Sequence, residues 1–172
     1  MNEGNTFRRA HIISVLASGG VVLVVCWLLR MLPDTTIVPV FCRVPAEVAA
    51  GYYSAELQKD GLLFAVNGIT FSVARSCAAT DFFSMVTGLL LYLCVRRRSV
   101  ALMSAILPAA WAVTLIANTA RLILLVPAAA LVYHYLPERT FAASHQALGA
   151  FIFLTVFILL WEGVRYVTRN AS

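Results

Sequence analysis

Charge is scarce in this chain. Of its 172 residues only 12% are Asp, Glu, Lys or Arg, where an ordinary soluble domain carries about a quarter. Lysine is reduced to Lys59 alone. The four cysteines, Cys26, Cys42, Cys77 and Cys94, form no CxxC pair and no Cys/His ligand spacing, so a metal site has no support. No cofactor motif appears, and no inverted repeat argues for a secondary transporter. Hydrophobic residues make up 61% of the chain and the mean hydropathy is +0.85. That composition describes an integral membrane protein. The formal net charge of +5 does not point to nucleic acid, because most cations flank apolar segments and so orient helices in a bilayer.

The expected fold is all-α and polytopic. It has about four main transmembrane helices, a short re-entrant or kinked helix and a small extracytoplasmic β-hairpin, all in a single membrane domain over 1–172. The first transmembrane helix is expected over 11–32. It follows Arg8-Arg9, is long enough to span, and ends at Arg30-Met31-Leu32-Pro33, which is no signal-peptide cleavage site. Residues 33–76 then read as an extracytoplasmic loop, with a short interfacial helix over Glu47–Lys59. Two β-prone runs, Leu62–Val66 and Ile69–Val73, flank Asn67-Gly68. That pair accepts the positive φ angles of a type I′ turn, so a hairpin is expected over 62–73. Residues 77–172 form the helical core. A helix beginning near Cys77 would run to Arg96-Arg97-Arg98 and put Cys77 and Asp81 on one face at i, i+4. From Val100 to Tyr135 the chain is almost wholly apolar and, as one helix, about 54 Å long. A break at Asn118–Arg121 and a kink at Pro127 are therefore expected, with Leu122–Tyr135 a re-entrant or kinked helix. After the loop Pro137–Thr140, a last helix runs through Ala147–Val167.

Arg8-Arg9, Arg96 to Arg98, and Arg165 with Arg169 mark the cytoplasmic face. Cys77, Arg121 and His145 then fall in one layer at the extracytoplasmic side. An ionisable residue at membrane depth is a functional-site candidate. A thiol, a fixed cation and an imidazole together suit nucleophilic catalysis by cysteine. Asn118, one turn before Arg121, is a candidate to orient it or to donate to an oxyanion, or else an interhelical hydrogen-bond donor. Asp81 could orient His145 or Arg121, or be a helix N-terminal charge. Arg75 reads equally as a substrate-binding cation or an anchor. Cys42 could pair with another thiol, and pairing with Cys77 would end the catalytic reading. The rival reading is a non-enzymatic assembly or accessory protein, with Arg121 and Asn118 as structural glue.

The ordered set Cys77, Asn118-Thr119-Ala120-Arg121 and Ser144-His145-Gln146 resembles the exosortase/archaeosortase family of membrane cysteine transpeptidases. The resemblance covers roughly Arg75 to Phe153. Many members carry glycine two residues after the cysteine, where this chain has Ala79, and many are longer. The resemblance implies a short, minimal member, multi-pass in the cell membrane, with its site facing outward and without a cofactor. It implies a membrane-anchored substrate whose C-terminal sorting tail is cleaved near the bilayer. Cys77 would be the nucleophile, His145 the general base and Arg121 the stabilising cation.

Overall fold

The computed structural model of the chain describes residues 3–58, 62–97, 103–135 and 141–169. Lys59, Arg98 and the Pro137–Thr140 loop lie outside the described residues. Helix α1 spans Glu3–Met31 and α2 spans Asp34–Tyr52. Strands β1 (Leu57–Gln58), β2 (Leu63–Val66) and β3 (Ile69–Ser72) follow, then a 3-10 turn at Arg75–Cys77. Helices α3 (Thr80–Arg97), α4 (Ile106–Tyr135) and α5 (Phe141–Arg169) complete the order. Among the described residues, three segments are long and apolar enough to cross a bilayer: Arg75–Val95, Ile106–Val132 and Ala143–Tyr166. A fourth crossing requires α1 and α2 to be counted together. The chain is a multi-pass α-helical membrane protein.

The described chain divides into two compact units, one of Met1–Leu32 with Thr80–Val113, the other of Pro33–Ala79 with Thr114–Ser172. In the first, α1 packs along α3. The approach is close at Gly88, where an added Cβ would collide with the Val22 side chain. Near the start of α3, the Cys26 thiol donates to Asp81 Oδ1 at 3.1 Å and Arg30 Nη2 stands 3.7 Å from the same oxygen. Leu16, Leu23, Val24 and Trp27 of α1 are exposed, as lipid-facing side chains are.

In the second unit, the stretch expected to be mostly loop is led by helix α2. It begins at Asp34, far earlier than the expected interfacial helix, and runs through both Pro39 and Pro45. Its buried residues, Ile37, Val38, Phe41, Cys42, Pro45, Ala46, Ala49 and Ala50, recur at helical spacing and form one continuous face. The hairpin forms as expected. Asn67 and Gly68 take φ of 52° and 79°, the positive pair of a type I′ turn. The register sets Phe64 opposite Phe71, with stacked rings 5.3 Å apart. Phe64, Val66, Phe71 and Val73 are buried while Ala65, Thr70 and Ser72 are exposed, the alternation of a half-buried sheet. The sheet gains a third strand, β1, antiparallel to β2.

Two further expectations are corrected. Leu122–Tyr135 is not a separate re-entrant helix: α4 continues unbroken from Ile106 to Tyr135, through Asn118–Arg121 and through Pro127. Nor does a helix begin at Cys77. The cysteine closes the 3-10 turn, and Ala79, at φ 52°, separates it from the start of α3 at Thr80. Cys77 and Asp81 therefore do not share a helical face.

A left-handed alanine is strained by its Cβ, and glycine is not. Ala79→Gly should therefore raise stability by about 0.5–1 kcal/mol, the relief being partly offset by a freer unfolded chain. Thermal unfolding in detergent micelles checks this; an unchanged or lower midpoint would contradict the strain.

Candidate functional site

Cys77 stands where the sheet hands the chain to α3. Val73 N–H donates to Leu62 carbonyl at 2.9 Å, closing the hairpin, and Cys77 N–H donates to Ala74 carbonyl at 2.8 Å, closing the turn. Arg75 Nη1 donates to Asp34 Oδ1 at 2.6 Å. This ion pair ties the Cys77 turn to the first turn of α2, where a carboxylate also suits the helix dipole. Both partners are substantially exposed, so the pair is worth about 0–1 kcal/mol at most. Cys77 itself is buried, 3% exposed.

Arg121 lies in the middle of α4 and is buried, 5% exposed. Its Nη2 donates to His145 Nε2, on α5, at 2.7 Å. A guanidinium only donates, so Nε2 is the acceptor and the ring proton of the neutral imidazole sits on Nδ1. Two sequence-expected residues thus meet directly. The charge of Arg121 is also within electrostatic reach of the Cys77 and Cys42 thiols. Cys42 is not in a polar loop: it is fully buried in α2, and both it and Cys77 are free thiols.

Two residues of α5 that the sequence did not single out complete the surroundings of Arg121. Gly149, one turn after His145, faces the guanidinium. An added Cβ there would lie 2.6 Å from Nε and 2.9 Å from Cζ. Phe153, one turn further, lies with its ring centroid 5.5 Å from Cζ, within cation–π range. His145, Gly149 and Phe153 fall at i, i+4 and i+8. The signal was there as a small residue and an aromatic on the face of the histidine, but nothing in the sequence named that face's partner.

Asn118 is fully buried, and its Nδ2 donates to the Phe41 carbonyl at 3.2 Å. The choice of carbonyl has a covalent cause. Four residues after Phe41 stands Pro45, which has no N–H to close the helical bond. The same logic recurs in reverse. Pro127 removes the N–H that would serve the Ile123 carbonyl of α4, and the Tyr53 hydroxyl donates there at 2.6 Å. The carbonyls vacated by Pro45 and Pro127 thus each receive a side-chain donor from the opposing segment. Asn118 is accordingly an interhelical donor. Its Oδ1 is buried without a hydrogen-bond partner. Asp81 has its contacts with Cys26 and Arg30. Among the described residues, no group of three or more His, Cys, Asp or Glu side chains is placed to hold a metal.

Against known proteins, the family model of transmembrane exosortases (Exosortase_EpsH) matches residues 46–162, about two thirds of the chain. That range contains Cys77, Asn118, Arg121 and His145 as well as Gly149 and Phe153. No curated protein and no solved structure gives a significant match.

The proline-matched bonds make a specific claim about coupling. Tyr53→Phe should destabilise by about 1–2 kcal/mol by leaving the Ile123 carbonyl without that donor. In a Pro127→Ala background the restored N–H serves the same carbonyl, and the penalty should fall by at least half. A double-mutant cycle on detergent unfolding measures this; equal penalties in both backgrounds would refute the match.

Proposed function

The chain belongs to the transmembrane exosortase family, and from that premise we propose that it is a membrane-embedded cysteine transpeptidase or peptidase. Its substrate is an exported protein anchored by a C-terminal sorting tail, cleaved at the extracytoplasmic edge of the bilayer. The observation that carries this reading is the direct contact of Arg121 with His145, with the Arg121 charge reaching Cys77. The continuity of α4 supports the side assignment. One helix from Ile106 to Tyr135 is long enough for a single crossing, which fits the expectation from the basic residues that Arg96-Arg97 and Arg165 with Arg169 mark the cytoplasmic face.

In the proposed reaction Cys77 is the nucleophile, Arg121 the electrostatic stabiliser and His145 the proton carrier. The resting hydrogen bond occupies the lone pair of His145 Nε2, so the ring is not yet a base. A substrate carbonyl entering beside Arg121 offers Nη2 a better acceptor as negative charge develops on its oxygen. Release of Nη2 frees Nε2 to take the thiol proton while sulfur bonds to the carbonyl carbon. Collapse of the tetrahedral intermediate breaks the C–N bond, and Nε2–H returns the proton to the leaving amine. The thioester then passes its acyl group to an acceptor amine or to water. Holding the base masked until substrate arrives protects the thiol from idle activation.

Cys77→Ala should lower processing of tail-anchored exported proteins by about a hundredfold or more, since the nucleophile has no substitute. The assay is the mass shift of such proteins in cells producing the variant. Unchanged processing with the variant correctly inserted would overturn the reading.

A further inference from the structure

The one turn-spaced row on α5, His145, Gly149 and Phe153, touches Arg121 at three different places. His145 accepts at Nη2, Phe153 lies under Cζ, and Gly149 borders Nε. Arg121 is otherwise an awkward group to hold. It is 5% exposed, and its Nε is buried without any hydrogen-bond partner. A guanidinium on a four-bond side chain has many rotamers, and a single hydrogen bond at one corner leaves the plane free to pivot about it. A ring against Cζ removes the pivot. A Cβ at 149 would enter the volume that Nε and Cζ occupy, so the guanidinium would have to move.

We propose that Gly149 and Phe153 are positioning residues that fix the plane and distance of the Arg121 guanidinium, so that its charge is delivered to Cys77. This rests on the reading of Cys77 and Arg121 given above and adds to it two residues that act through Arg121. Gly149 acts by vacancy and Phe153 by its aromatic face. An aliphatic side chain at 153 would fill similar space without attracting the cation.

The test needs no substrate. The intact protein in detergent micelles is treated with iodoacetamide across pH, and Cys77 alkylation is followed by peptide mass spectrometry. Arg121→Gln comes first: slower alkylation at pH 7 than in the parent supports the charge on which the proposal depends. If Arg121→Gln alkylates as the parent does, the electrostatic reading of Arg121 fails and the positioning proposal falls with it. Given the slowing, Gly149→Ala and Phe153→Leu should each slow alkylation at pH 7 by about threefold to tenfold, because a displaced cation does less for the negative charge at sulfur. The slowing should fade toward high pH, as in Arg121→Gln. Phe153→Trp should retain the parent profile. Should Gly149→Ala fail to fold, the contrast between Phe153→Leu and Phe153→Trp decides alone. Parent-like rates in Phe153→Leu, or slowing at every pH, would overturn the proposal while leaving Arg121 in place. The second pattern would mean that the substitution merely obstructs the thiol.

Discussion

Backbone groups inside a membrane protein have no water to fall back on, and every one that loses its helical partner must find another. Pro45 and Pro127 each create such a group, at the carbonyls of Phe41 and Ile123. The fold answers both from the facing segment, with Asn118 and Tyr53. These two bonds do more than satisfy atoms. Hydrophobic contact between helices is nearly neutral in lipid, so directional bonds and close packing carry more of the specificity there. A bond that fits only a proline-vacated carbonyl has one correct register. Sliding α4 by a turn against α2 would leave both carbonyls without these donors and both donors without their targets.

That register is what sets the site. Asn118 and Arg121 are one turn apart on α4, so fixing the first fixes the height and azimuth of the second. Cys42 follows Phe41 on α2, which accounts for a buried thiol within reach of the same charge. The Cys77 turn is tied to the beginning of α2 by Arg75 and Asp34. Helix α2 therefore links the turn that carries the thiol with the helix that carries the guanidinium. The segment without an expected role turns out to hold the others in place.

Much of this was legible, and the exceptions have physical reasons. Asn67-Gly68 between two β-prone runs specified the hairpin because few pairs tolerate two positive φ angles. The polar residues Cys77, Arg121 and His145 stood out against an apolar background, and the Arg121–His145 contact followed from them. Helix α2 was missed because the whole stretch 33–76 was read as a loop, although the helix runs from Asp34 to Tyr52. Its apolar spacing from Ile37 to Ala50 was helical throughout, and the donor at Asn118 that compensates Pro45 lies 77 residues downstream of its acceptor, Phe41. Helix α4 was divided because 30 residues exceed one perpendicular span, and because Arg121 was read as an interruption. A buried arginine held by another helix interrupts nothing. Ala79 was noted only as a departure from glycine. The left-handed φ at that position gives the departure its meaning, since it is the backbone, not the side chain, that the turn requires. Gly149 could not be read forward at all, because a vacancy acquires significance only once its occupant is known.

The partner chosen for Arg121 is informative in itself. A buried arginine is most simply stabilised by a carboxylate, which supplies hydrogen-bond acceptors and cancels its charge. Among the described residues no carboxylate pairs with Arg121; its acceptor is the neutral ring of His145. An imidazole and a phenyl face can hold a guanidinium in place without neutralising it. The arrangement is worse for stability than an ion pair, and the unpartnered Nε adds to the penalty. Its compensation is that the positive field remains uncancelled inside a low-dielectric interior, where it acts strongly on any anion that forms nearby. In the proposed reaction the thiolate and the oxyanion are such anions. An Arg–carboxylate pair would have given a more stable helix bundle with nothing left to offer that anion.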